Sequence, residues 1–282
     1  MRRFNFLNLI FAIFFLTTFI SSCSEDEVEF NTQESNTYES EENLEAVFDL
    51  VSSITNEGMI QVESNDEMGR IAQSSGILTM ATVTFSGDKE SGRVEIDFGT
   101  TGVTGPDGRT WKGVVVLEYD GRRYIPGSVV YTVFEDFYID EYKIEGSRVS
   151  TNITENINQP KFQVVVTNGK LTWPGEEGLV ATWSCNRTHT WTINQDFSFS
   201  LSIQGTANGV NTLGQEYSTL IYEIDPLILK SECISSSAFI PVQGSKTISS
   251  VEDLQIDVYY GAGTCDRTVM IKIGKQTKEV HF

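Results

Sequence analysis

Side chains able to carry covalent or acid–base chemistry are sparse in this 282-residue chain, which has four cysteines and two histidines. His189 sits in the strand-like run Arg187-Thr188-His189-Thr190-Trp191 and is the one internal candidate for a base. No nucleophile is spaced to meet it, so a hydrogen-bonded structural role is expected. The carboxylate pairs Glu135-Asp136, Asp140-Glu141 and Glu176-Glu177 could face one another across a cleft as glycoside hydrolysis requires. In an acidic chain such pairs also arise on solvated loops through composition alone. Asp97, Asp107 and Asp257 lie beside glycine-rich turns without the spaced oxygen ligands of a calcium loop, which makes them turn caps. No G-x-S-x-G elbow, H-E-x-x-H helix, phosphate-cradling loop or dinucleotide fingerprint occurs. His189 and His281 are not at ligand spacing from a cysteine pair. No catalytic residue, cofactor or metal site is read from the chain.

Flat side chains are the other candidates. Trp111, Trp173, Trp183 and Trp191, with Tyr119 to Tyr142 nearby, could stack sugar rings on an exposed sheet. In strands such residues more often pack across to a neighbouring strand, and Trp183 with Trp191, on either side of an expected turn, suits a packed pair.

Cys23 is the most informative residue. Met1-Arg2-Arg3 opens the chain, an apolar stretch follows from Phe4 to Ile20, and Ser21-Ser22-Cys23 closes it, which is the charged, apolar and small-residue order of a secretory signal over residues 1–22. The stretch is too short to span a bilayer and lacks a basic cluster after it. Ile20-Ser21-Ser22-Cys23 resembles the lipobox of bacterial lipoproteins, which implies that Cys23 becomes the lipidated N-terminus. Two or three acyl chains anchor a protein stably where one does not. Ser24-Glu25-Asp26-Glu27-Val28-Glu29 resembles the acidic export signal of Bacteroidota lipoproteins, which implies display on the outer face of the outer membrane.

Of the 20 basic side chains, Arg2 and Arg3 lie in the signal, so the mature chain has 18 against 39 acidic ones, a net charge of −21. That potential repels phosphate backbones and argues against nucleic acid as a partner. In an exported chain disulfides persist. With Cys23 lipidated, an odd three cysteines remain. Cys233 and Cys265, both at ends of strand-like runs, are the expected bridge, leaving Cys185 as a small buried hydrophobe.

The elements that position these residues fall in three stretches. Residues 23–39 are polar and acidic and are read as a flexible tether. Leu44, Val47, Phe48, Val51 and Ile54 recur at helical spacing, so one short amphipathic helix is predicted at about 40–55, with Glu41, Glu42 and Glu45 near its start where the helix dipole favours them. From residue 77 onward short alternating runs separated by turn residues predict strands to the end, with Asp107-Gly108, Asp120-Gly121 and Asn168-Gly169 as hairpin turns. The fold class is therefore all-β, mainly antiparallel hairpins of sandwich or curved-sheet type, with one short N-terminal helix. Residues 40–282 form the β-rich domain, with a candidate division into two sub-domains near 155.

Ile96-Asp97-Phe98-Gly99, Gly105-Pro106-Asp107-Gly108-Arg109-Thr110-Trp111-Lys112-Gly113, Thr167-Asn168-Gly169-Lys170 with Thr172-Trp173-Pro174, and Gly263-Thr264-Cys265-Asp266 resemble a family of Bacteroidota lipoproteins. The likeness covers most of residues 90–282 and implies surface location and β architecture, with no activity to carry over. Val103 departs from it, standing where a cysteine is expected. A lipid-anchored binding or adhesion module facing the cell exterior, with a glycan or protein ligand, is the function expected first. A structural envelope component is second and a carbohydrate-active hydrolase third.

Overall fold

The computed structural model describes residues 31–64, 76–175, 178–196, 198–233, 240–250 and 254–281. One long helix, α1 (Thr32–Ser64), lies in the concave face of a single antiparallel sheet. Its strands are β1 (Thr82–Gly87), β2 (Ser91–Asp97), β3 (Val103–Thr104), β4 (Thr110–Asp120), β5 (Val129–Ile139), β6 (Tyr142–Asn152), β7 (Lys161–Thr172) and β8 (Val180–Ile193). They continue as β9 (Phe199–Val210), β10 (Glu216–Ile221), β11 (Leu227–Lys230), β12 (Gln243–Ser250), β13 (Gln255–Ala262), β14 (Thr268–Ile273) and β15 (Gln276–His281). The all-β class with one helix holds, in its curved-sheet form.

Each strand pairs with the next in a meander, apart from two short additions. β3 flanks β4, and β11 pairs with the first half of β9 while β10 pairs with the second, so β10 and β11 share one lane between β9 and β12. β6 and β7 pair over their whole lengths across residue 155, so the sheet has no division there. Alternation dictates which face is inward. Along β8, Ala181, Trp183, Cys185 and Arg187 are buried, while Thr182, Ser184, Asn186 and Thr188 alternate with them on the more exposed face.

The sheet curls because bulges line up across its middle strands. Register shifts occur at Lys112/Val114, Val133/Phe137, Glu145/Ser147 and Val166/Gly169, on four successive pairings from β4–β5 to β7–β8. Each bulge bends its strand and adds twist, so a row of them folds the sheet over. Gly113 and Gly146 hold two of these positions at φ of 86° and 112°. A Cβ on Gly113 would sit 2.0 Å from the Asp136 carbonyl oxygen, and one on Gly146 2.6 Å from that of Asn168. Asn168-Gly169 is thus a bulge inside β7 and not a hairpin turn, because the positive φ of Asn168 serves either purpose. In the same way Trp183 and Trp191 lie on one continuous strand with no turn between them.

The helix is longer than its apolar spacing predicts, and residues 32–39, read as tether, are its first two turns. Polar side chains hold those turns. Asn36 bonds the Thr212 hydroxyl, Asn211 Nδ2 donates to Thr37 Oγ1 at 2.9 Å, and Ser40 accepts from the Thr212 amide at 3.3 Å. In its middle, Leu44, Phe48, Val51 and Ile54 are buried in the sheet's core, and the Phe48 ring stacks on Trp183 at 5.6 Å. Near its C-terminal end, Arg123 in the β4–β5 loop donates from Nη1 to Asn56 Oδ1 at 3.1 Å, and its amide donates to Glu63 at 2.8 Å. α1 therefore runs from the rim carrying the β9–β10 turn to the rim carrying the β4–β5, β6–β7 and β8–β9 loops. At 1.5 Å per residue it is about 50 Å long.

Candidate ligand-binding cavity

The polar stripe of α1 comprises Glu41, Glu45, Asp49, Ser52 and Asn56, with its apolar stripe alongside. Since the sheet wraps the helix, much of that polar stripe is pressed inward, and the concave face answers it in two ways.

At the first stretch the answer is a dense ion cluster. Glu41 is fully enclosed and accepts from Trp183 Nε1 at 2.8 Å and from Arg187 at 3.3 Å. Glu45 meets Arg187 Nη1 at 3.2 Å and Lys246 Nζ at 2.6 Å, and Lys246 also meets Glu42 at 2.6 Å. Burial alone would raise the Glu45 carboxyl, but Lys246 and Arg187 outweigh it and hold it at about 2. Burial would likewise lower the Lys246 ammonium, yet Glu42 and Glu45 keep it well above its ordinary value. These three acids are there to meet Arg187 and Lys246; they lie on the third and fourth turns, beyond the helix start where the dipole acts.

One turn further on, the sheet stands back and leaves a cavity of about 150 Å³. Asp49, Ser52, Ser53 and Asn56 line it from the helix; Val130, Arg148, Val164, His189 and Ile203 are among its sheet residues, and Arg123 and Tyr124 border it at the rim. A void of about 20 Å³ sharing Asp49, Arg148, His189 and Ile203 lies towards Arg187. Arg148 is 6% exposed. Among the described residues, no hydrogen bond or ion pair within 4 Å reaches its guanidinium, the Asp49 carboxylate or the His189 ring. Burial, then the Glu45 charge, pushes the Asp49 carboxyl up to about 7. Burial, then Arg148 and Arg187, pushes the His189 imidazole down to about 3. Burial lowers Arg148 to about 10, which leaves it charged at neutral pH. Buried polar groups in folded proteins nearly always have partners, so a buried Arg148 beside a void, with half-buried Asp49 and His189 next to it, marks a place where a ligand or ordered water belongs.

No protein-family model, curated protein or solved structure matches this chain.

The residues singled out from the sequence are scattered. Cys23 and Glu176-Glu177 lie outside the described residues. Trp111 and Trp183 are buried in the core, Trp173 packs on Tyr142, and Trp191 packs on Phe199 while lining the cavity. No sugar-stacking platform is built from the four, and Trp183 pairs with Phe48 and not with Trp191. Glu135-Asp136 and Asp140-Glu141 are solvent-exposed at the β5 bulge and the β5–β6 turn, where Asp136, Asp140 and Glu141 take positive φ. Asp97 and Asp107 accept from the amides of Gly99 and Arg109, capping their own turns. A disulfide joins Cys233 to Cys265, and Cys185 is a buried thiol that burial pushes up to about 12. Asp49 and Arg148 escaped sequence reasoning. The available signal was strand alternation, which puts Arg148, Ser150 and Asn152 on one face of β6.

Proposed function

We propose that this chain is a lipid-anchored binding protein of the bacterial outer surface that holds a small ligand in the cavity between α1 and the concave sheet. The observation that carries the reading is the cavity of about 150 Å³ with Arg148, Asp49 and His189 around it, none of them hydrogen-bonded or ion-paired within 4 Å among the described residues. Its placement supports the same reading. The chain enters α1 at the β9–β10 rim, while the cavity borders the rim of Arg123 and Tyr124 at the other end of the helix. A lipid on Cys23 would hold the first rim towards the membrane and present the second to the medium. Ile125 and Ile157, on loops of that distal rim, and Ile193, at the end of β8, are exposed and would favour an amphipathic ligand's approach.

A hydrolytic role draws no support from this site. An imidazole held at about 3 is a weak base at neutral pH, and the second carboxylate nearby, Glu45, is engaged by two cations.

The test is a screen of small amphiphiles by thermal shift, read together with the tryptophan emission of wild type and Trp191→Phe. A binder should raise the melting temperature of both proteins and change emission in wild type only. A panel that moves neither signal sinks the binding role. Cys23→Ala should move the protein from the membrane to the soluble fraction, and retention at the membrane would defeat the anchor.

A further inference from the structure

Resting on that reading of the cavity as a binding site, we propose that its ligand is a small carboxylic acid with an apolar body, its carboxylate on Arg148 and its hydrocarbon part against Phe162, Val164, Leu201 and Leu229. Arg148 presents five N–H donors in a planar fork, and among the described residues none is used. A charge in that position is costly to keep unless a counter-charge reaches it. Among the described residues no carboxylate comes within 4 Å of it, and the Asp49 charge acts on it only from beyond that distance. Glu45 is taken by Arg187 and Lys246, Glu41 by Arg187 and Trp183, and Asp49 makes no ion pair with Arg148 within 4 Å. A ligand carboxylate would reach it directly and matches the guanidinium fork with two parallel bonds.

The remaining walls set the body of the ligand. Phe162, Val164, Leu201 and Leu229 form a hydrocarbon part of the lining, and a cavity of this size holds about one benzene-sized group. A phenyl ring or a five-carbon chain fits against these four side chains. The helix side completes the site. Asp49 is faced by Glu45 on its own helix, Arg148 from β6, Arg187 from β8 and Lys246 from β12, and the raised carboxyl gives it a proton to donate to a bound carboxylate. His189, held neutral, adds an N–H donor.

Isothermal titration of the full mature chain in detergent tests the proposal, with phenylacetate and hexanoate as acids and hexanol and hexylammonium as controls. The acids should bind at least tenfold more tightly than either control at pH 6, and Arg148→Met should remove that preference while still binding hexanol. Acid binding should weaken at least threefold between pH 6 and pH 8 in wild type and stay level in Asp49→Asn, whose amide donates at both. Should Arg148→Met fail to fold, the Asp49→Asn comparison and the preference for acids over controls decide alone. Equal binding of hexanol or hexylammonium, or an Arg148→Met that keeps the preference, overturns the carboxylate and leaves a binding cavity of another specificity. Absence of heat with all four probes and of any change in Trp191 emission overturns both readings.

Discussion

Two consecutive stretches of α1 press polar side chains into the same concave sheet, and the sheet treats them differently. Around Glu41 and Glu45 each acid meets a cation, and the void alongside is about 20 Å³. Around Asp49, one helical turn on, the facing Arg148 has no ion pair within 4 Å among the described residues and the void is about 150 Å³. Residue types do not separate the two, since each combines at least one carboxylate, an arginine from a strand and an aromatic wall. Pairing and filling separate them. Buried charges that satisfy one another tie the helix to its sheet, whereas buried charges left open beside empty space are held ready for something else.

The largest break in this contrast is Arg187→Met. It leaves Glu41 and Glu45 enclosed on the same side with one cation fewer, and should cost about 3–5 kcal/mol in urea unfolding. A loss near zero would mean that the cluster does not hold the helix. Next come two leucines. Leu44→Ala opens a hole in close packing and should cost about 3 kcal/mol, whereas Leu201→Ala widens a space already open and should cost less than about 2 kcal/mol. Equal costs would mean that the two stretches are equally well packed.

Smaller again is the pH effect of Asp49. Its folded carboxyl is raised to about 7 against an ordinary value near 4, so from pH 4 upward the unfolded chain loses this proton first. Stability due to this group is therefore full below about pH 4 and falls as pH rises through about 7. Asp49→Asn removes the fall. It should gain about 2 kcal/mol over wild type at pH 8, a figure reduced for the half-buried setting, and nothing at pH 4. A gain that is the same at both values would contradict the raised carboxyl.

Much of this fold was legible in the residues. Alternation and turn chemistry place most strands, and the helical spacing from Leu44 to Ile54 finds the centre of α1. The helix ends were hidden because polar contacts made from distant strands stabilise them, as with Thr37 on Asn211 and the Arg123 amide on Glu63. Asn168-Gly169 was misplaced because turns and bulges ask for the same backbone angles. The site was half visible in β8, where Trp183, Cys185, Arg187, His189 and Trp191 occupy one parity against hydroxyl and amide residues on the other. That pattern puts Arg187 and His189 on the inward face of the strand. It cannot say which buried cation meets an acid and which does not, because this depends on how far the row of bulges bends the sheet towards the helix.

The most direct measurement is the unfolding free energy of Arg148→Met at pH 7, set beside that of Arg187→Met. If Arg148 is kept for a ligand and not for the fold, replacing it with a similar-sized apolar side chain should raise stability by about 1 kcal/mol while Arg187→Met lowers it. A loss of several kcal/mol on changing Arg148 would make it a structural cation like Arg187 and contradict the division between the two stretches.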